Sequence, residues 1–177
     1  KDKEQVVLDT LKDTLSKVND WVKFAEAKNA ANVAFCSAAI FALTRIIIGK
    51  ESINPYVSYY IGFVLLCLTL SLSISLFSFI PKLRVPWLHI GRQNDVDNLL
   101  YFGHACKYTT TDYLEKLYDS KEKSSKNNRL EFLYANQIVV NSKVAYIKFK
   151  QFDLAIFFTM AAVLSPIGVL FVAIMKQ

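Results

Sequence analysis

The sequence is poor in the residues that punctuate, cross-link or ligate: 177 residues hold five glycines, four prolines, three cysteines and two histidines. Cys36, Cys67 and Cys106 are scattered, with no C-x-x-C pair and no Cys/His ligand spacing. That excludes a disulfide framework and a zinc site, and leaves the thiols as small buried apolar groups. His89 and His104 stand alone, and His89 in Trp87-Leu88-His89-Ile90 reads as an interfacial anchor. There is no G-x-S-x-G elbow, P-loop, H-E-x-x-H or dinucleotide glycine loop, so no catalytic residue, metal or cofactor is expected and the chain reads as a non-enzyme. No cleavable signal peptide is expected, because the first apolar block begins only near residue 30, after a polar helix.

What the sequence does hold is apolar residues, 53% of the total, gathered into three blocks of membrane-helix length. Residues 3–28 precede them as an amphipathic helix, with Val6, Val7, Leu11, Leu15, Val18, Val22 and Ala25 at helical spacing. Its charges are nearly balanced (Lys12, Asp13, Lys17, Asp20, Lys23). That favours packing on another helix or a second copy over lying on lipid. Trp21 and Phe24 fall where an aromatic belt is expected. The first block, Ala30 to Gly49, matches the hydrocarbon thickness at about 1.5 Å per residue. Its many small residues suit close helix packing and self-association. Arg45 near its end is a snorkelling side chain or a charge on a watery path. A polar turn at Gly49 to Pro55 forces a hairpin. The second block runs from Tyr56 to Ile80. Its Ser71, Ser73, Ser75 and Ser78 either bond helix backbones and neighbours or wet a pore wall. The third block, Leu154 to Met175, contains Pro166 and Gly168 as a possible kink.

The chain is basic, with 21 Lys+Arg against 15 Asp+Glu. No basic run is dense enough for a phosphate-binding arm, so nucleic acid is not an expected partner. Residues 82–152 hold twelve Lys/Arg against seven Asp/Glu. The positive-inside rule puts this segment in the cytoplasm, and the hairpin puts the N-terminal helix there too. The expected organisation is therefore all-α: an amphipathic helix (1–29), a transmembrane hairpin (30–81), a cytoplasmic helical module (82–152) and a third transmembrane helix (153–177).

Within the module, Val96 to Cys106 reads as a short helix. Asp112 and Glu115 form a capping arrangement for a second, whose apolar face is Tyr113, Leu114, Leu117 and Tyr118. Lys121 to Asn128 reads as a mobile polar loop. From Arg129 no Gly or Pro interrupts a helix before Pro166, so one helix can run from the module into the third block. Two segments mix aromatics, amides and lysines: Asn98 to Tyr108, and Tyr134 to Lys148. Amides read base edges, rings stack on bases and Lys meets phosphate. Asn98, Tyr101, His104, Lys107, Asn136, Asn141 and Lys143 are thus candidates for a small anionic-ligand pocket. The alternative is that they hold the module's helices together.

Several stretches carry a resemblance: FAEAKNA at 24–30, NLLYFGHACK at 98–107 with YLEKL at 113–117, and NQI at 136–138 with NSKVAYIKF at 141–149. In these, over about residues 20–170, the sequence resembles the membrane-type effectors of the bacterial Pycsar (pyrimidine cyclase) antiphage systems. The resemblance implies a linked cyclase that senses infection and makes a cyclic pyrimidine mononucleotide, cCMP or cUMP. It implies that this chain recognises the nucleotide and damages the inner membrane, stopping the infected cell. The segments around Tyr101 to Lys107 and Asn136 to Lys143 then become candidates for sensing. Arg45, Ser71, Ser75 and Ser78 become candidates for lining a leak in a homo-oligomer. A membrane scaffold or channel without a nucleotide ligand, and an effector gated by another cyclic nucleotide or an oligonucleotide, are the alternatives.

Overall fold

A computed structural model describes residues 2–49, 54–80, 89–118 and 129–175, without the side chains of 2–4 and 167–175. Among these residues the secondary structure is helical, with no strand. Five helices follow in order: α1 (Asp2–Ile48), α2 (Pro55–Phe77), α3 (Phe102–Ala105), α4 (Thr110–Tyr118) and α5 (Arg129–Met175). The chain divides into two compact units. One comprises residues 1–25 and 81–149, the other 26–80 and 150–177. Each of the two long helices therefore contributes one end to each unit. The unit boundaries fall at 25/26, 80/81 and 149/150.

The amphipathic segment and the first apolar block are one helix of 47 residues. Nothing between them stops a helix, because the sequence has no Gly or Pro before Gly49. Its buried positions (Leu11, Thr14, Val18, Ala25, Asn29, Asn32, Cys36) keep spacings of three, four and seven, so one stripe serves both units. In the first unit Leu11 and Val18 pack with Leu99, Phe102, Ala105, Tyr108, Tyr113, Leu114, Ala135, Ile138, Val139 and Ala145. The N-terminal helix is thus packed within its own chain, on α3, α4 and α5.

The second unit is a cluster of α1, α2 and α5 around Cys36, Val64, Cys67, Leu68 and Ala162. Asn54 caps α2 by accepting from the Tyr56 amide at 3.0 Å, and Pro55 occupies its first turn, where no amide is missed. Among the described residues, α2 and the part of α1 within Gln5–Ile48 are long and apolar enough to cross a membrane. Only 11% and 28% of their apolar stretches are buried inside the chain, unlike core helices of a soluble domain. The third apolar block forms the C-terminal end of α5, which continues through Pro166. Proline there cannot donate to the carbonyl of Ala162. The Ser165 hydroxyl fills that role at 3.1 Å and in turn meets the Tyr60 hydroxyl at 3.0 Å.

Two local expectations need correction. The helix expected from Val96 to Cys106 is only four residues long, Phe102–Ala105. Before it, Asp97 accepts from the Asn94 amide and Asn98 from the Leu100 amide, both at 2.9 Å. Such side-chain bonds hold turns at the expense of helix. The cap of α4 is Thr109, whose hydroxyl accepts from the Asp112 amide at 3.2 Å. Asp112 is the third residue of that helix and not its cap. The expected polar loop at 121–128, residues 50–53 of the expected hairpin turn and residues 81–88 lie outside the described residues.

Tyr113 and Leu114 are wholly buried where α4 meets the rest of the first unit. Leu114→Ala is expected to destabilise this unit by about 2–5 kcal/mol. Hydrogen exchange should show faster exchange across α4 and residues 129–149, with α2 unchanged. Equal loosening of α2 would contradict the two-unit division.

Candidate functional site

The first unit is organised at its loop end by Asp97, which was absent from the expected set. Its side chain is only 3% exposed and accepts from Lys107 at 2.8 Å and from the Tyr108 hydroxyl at 3.0 Å. These bonds, the Lys107 contact first, hold its carboxyl at about 2, below the ordinary 3.8. His104 lies 3.8 Å from the same carboxylate, and its Nδ1 accepts from the Asn98 amide at 2.9 Å. That bond leaves Nε2 to carry the proton of the neutral ring. Lys116 closes the arrangement by donating to the Asn94 carbonyl and to the Tyr108 hydroxyl at 3.1 Å. The hydroxyl contact raises the Lys116 pKa. Gln93 donates to Asp112 at 3.2 Å, and this bond is the main cause of the lowered Asp112 pKa.

Tyr101 stands beside this network, edge-on to His104 with ring centroids 5.3 Å apart. Its ring crosses the turn so closely that a Cβ on Gly103 would sit 2.5 Å from Cε1. Glycine at 103 is what lets the ring lie there. Cys106 is buried beneath, and loss of solvent pushes its thiol up to about 11, against the opposing pull of Lys107 and Lys143. It is therefore an inert packing group.

The seven expected ligand residues fall into two groups. Asn98, Tyr101, His104 and Lys107 share the turn around Asp97, and the charge of Lys143 on α5 is felt at the Cys106 thiol of the same turn. Asn136 accepts from Thr110 at 3.1 Å, at the start of α4. Asn141 instead donates to Asn19 of α1 at 2.8 Å. Five residues rotate a helix by about 140°, so the two amides serve different neighbours. Lys107 is committed to Asp97, whereas Lys143 makes no ion pair to a described residue.

The serines expected along α2 meet a second polar cluster, inside the second unit. Asn32 donates to Ser71 and Ser75, each at 2.8 Å, and accepts from Thr159 at 2.9 Å. Ser71 meets Thr159 and the Ala155 carbonyl, both at 2.7 Å. Cys36 lies 3.5 Å from the Thr159 hydroxyl. All these side chains and Ser78 are buried. Ser73 turns back to its own helix at Thr69, 2.8 Å away. Arg45 is exposed near the end of α1, 5.9 Å from the centre of the Phe41 ring. Nothing in the sequence singled out Asn32 or Thr159, since each is one of several scattered polar residues in an apolar block. Among the described residues no cluster of His, Cys, Asp and Glu could hold a metal ion.

The model of the Pycsar effector protein domain matches residues 10–175, nearly all of both units. The chain belongs to the Pycsar effector protein domain family. It is 32% identical over 143 residues to the Pycsar effector protein RsPycTM of a Rhizobium species, covering 79% of this chain and 81% of that protein. No solved structure matches the chain. Family membership identifies the chain as a membrane effector of Pycsar antiphage defence, a family not known for catalysis.

Two measurements test the clusters. The depressed Asp97 carboxyl contributes stability that is complete above its ordinary pKa and is lost as pH falls through its folded value. Amide exchange in residues 94–108 should therefore accelerate between about pH 4 and about pH 2, and Asp97→Asn should remove most of that acid-dependent change. Unaltered acid dependence in the variant would assign it elsewhere. In the second unit, a Ser71→Ala and Thr159→Val double-mutant cycle, read by unfolding in mixed micelles, should give a coupling of about 0.6 kcal/mol and at most about 1.7 kcal/mol. Strict additivity would mean that the two hydroxyls do not interact in the membrane.

Proposed function

We propose that this Pycsar effector senses a cyclic pyrimidine mononucleotide, cCMP or cUMP, and answers by disrupting the inner membrane, which ends infection with the death of the cell. The observation that carries this reading is the family match over both units, since a sensor and a membrane element are both needed. The first unit, cytoplasmic by its Lys/Arg excess, is the sensor. The second unit is the membrane element, with the C-terminal end of α5 as a third crossing. A linked nucleotide cyclase supplies the ligand.

The chemistry of the Asp97 turn supports a mononucleotide. Tyr101 offers a partly exposed ring for stacking, and the Nε2–H of His104 and the amide of Asn98 offer polar contacts to a base. Lys143, free of an ion pair to any described residue, is the cation for the single phosphate. Asn136 and Lys107 shape the wall through Thr110 and Asp97. Asn141 supports it indirectly, by tying α5 to α1. An oligonucleotide would demand more uncommitted cations.

Signalling follows from continuity. Both α1 and α5 run unbroken from one unit into the other. A ligand that binds one arrangement of the sensor more tightly shifts the population of both helices. Homo-oligomers then form or rearrange, and the second unit leaks. Ser71, Ser75 and Ser78 are interior in the single chain, so they line a path only after the bundle rearranges, whereas the exposed Arg45 needs no such change.

Titration calorimetry of the detergent-solubilised chain with cCMP, cUMP, cAMP and cGMP tests the reading. One pyrimidine nucleotide should bind, and Lys143→Ala should weaken it at least about tenfold, the effect of losing about 1.4 kcal/mol. No binding to any of the four would overturn the mononucleotide reading. It would leave an oligonucleotide-gated effector or an unliganded scaffold.

A further inference from the structure

The polar groups inside the second unit lie at two levels. Asn32, Ser71, Ser75 and Thr159 bond one another at the first. The Tyr60 and Ser165 hydroxyls meet at 3.0 Å at the second. On α2, Tyr60 and Ser71 stand eleven residues apart. That is close to three whole turns, so both share one face, about 16 Å apart at about 1.5 Å per residue. Between the levels the interior is apolar. Val64, Cys67 and Leu68 of α2, Cys36 of α1 and Ala162 of α5 form one buried cluster, and Tyr60 packs against it. The interior of the unit therefore runs polar, apolar, polar. One polar level suffices to fix how three helices meet. Two levels parted by an apolar layer match a channel closed by dewetting, in which a short apolar constriction expels water between wettable ends.

We propose that the interior of the second unit is a path for monovalent cations, closed here by the layer of Val64, Leu68 and Ala162 and opened when that layer parts. This rests on the membrane half of the reading above and not on its nucleotide. It turns a general loss of membrane integrity into a selective leak. The chemistry of the polar levels favours cations. Both N–H groups of Asn32 are directed at serines, Ser71 donates to the Ala155 carbonyl, and Thr159 donates to the Asn32 carbonyl. The capacity left over is oxygen lone pairs, which can take the place of a cation's hydration water. No charged side chain of the second unit is buried among the described residues. A neutral lining suits a single charge better than a double one, because the cost of leaving water rises with the square of the charge.

The apolar layer is also the part that can yield first. Apolar contact is non-directional, whereas the bonds of the Asn32 level fix both distance and angle. Once water enters the layer, the polar levels exchange their bonds with one another for bonds to water and ions at small net cost. Leu68, 2% exposed, is the largest aliphatic side chain buried in the layer and its main obstacle to water.

The test uses the full chain in phosphatidylcholine and phosphatidylglycerol vesicles loaded with KCl, without nucleotide and with a protonophore to balance charge. Leu68→Ser should raise K+ efflux at least about tenfold over the unsubstituted chain, the effect of lowering a barrier by about 1.4 kcal/mol. Leu66→Ser, at a position 58% exposed on the same helix, should leave efflux unchanged. Tyr60→Phe, added to Leu68→Ser, should remove most of the gain, whereas a misfolded bundle would leak whether or not that hydroxyl is present. In a planar bilayer under a KCl gradient, the reversal potential of Leu68→Ser should have the sign set by K+. A sign set by Cl− would overturn the cation assignment. Equal efflux from Leu66→Ser and Leu68→Ser, or escape of carboxyfluorescein together with K+, would replace the path with general bilayer damage. A Leu68→Ser chain with unchanged helix content and no added efflux would refute the apolar layer as the barrier. None of these results involves nucleotide, so each leaves ligand sensing standing, and a failure of nucleotide binding leaves the path standing. A chain that does not float with the vesicles would overturn the path and the membrane reading together.

Discussion

The second unit depends on the amide of Asn32. In a helix cluster without water, an unpaired amide would cost several kcal/mol, so its partners must be present on neighbouring helices. Two donor bonds reach α2 at Ser71 and Ser75, and one acceptor bond reaches α5 at Thr159. Ser71 then joins α2 to α5 directly. Three helices are thereby pinned at one level. Sliding α2 by one residue would carry both serines about 100° away from the amide. Apolar packing at Val64, Leu68 and Ala162 tolerates small slips better than this arrangement does.

The same economy governs the first unit, with charge in place of amide. Asp97 receives Lys107, Tyr108 and the Asn94 amide, and so folds residues 94–108 onto themselves. This turn replaces most of the helix that the apolar spacing of Val96, Leu99, Leu100 and Phe102 suggests. Local side-chain bonds from Asp97 and Asn98 outcompete the backbone ladder over the first half of that stretch. The Asn-Asp-Val-Asp-Asn sequence at 94–98 carried the turn signal. The apolar residues around it concealed its reach.

Helix content, the long C-terminal helix and the apolar blocks were all legible, because each rests on periodicity or on Gly and Pro placement. The family, too, was legible in short stretches spread along the chain. The fusion of the first two segments into one helix was half visible, since no breaker separates them. What the sequence could not display were pairings between distant residues: Asn32 with Thr159, Asn19 with Asn141, Thr110 with Asn136. Each is a polar residue whose partner lies at least 26 positions away, and periodicity carries no information about such partners. The candidate ligand residues were recognised by type, but their division came from these pairings. Asn136 and Asn141, five residues apart on α5, serve different helices.

That division bears on how an effector of this kind could be quiet at rest. A residue already holding another cannot also hold a ligand without releasing its partner. Lys107 and Asn141 are committed within the unit, while Lys143 is not held by any ion pair to a described residue. On the proposed reading, a phosphate arriving at Lys143 adds negative charge near the Cys106 turn, where Asp97 already holds Lys107 and, through the Tyr108 hydroxyl, Lys116. The two anions then compete for the cations of one turn. Weakening the Asp97 contacts would loosen the turn that stacks Phe102 on Trp21 of α1 and Phe149 of α5. Those are the two helices that continue into the second unit. On that reading, a single ligand charge would act through a turn whose Phe102 ring meets both long helices within the first unit.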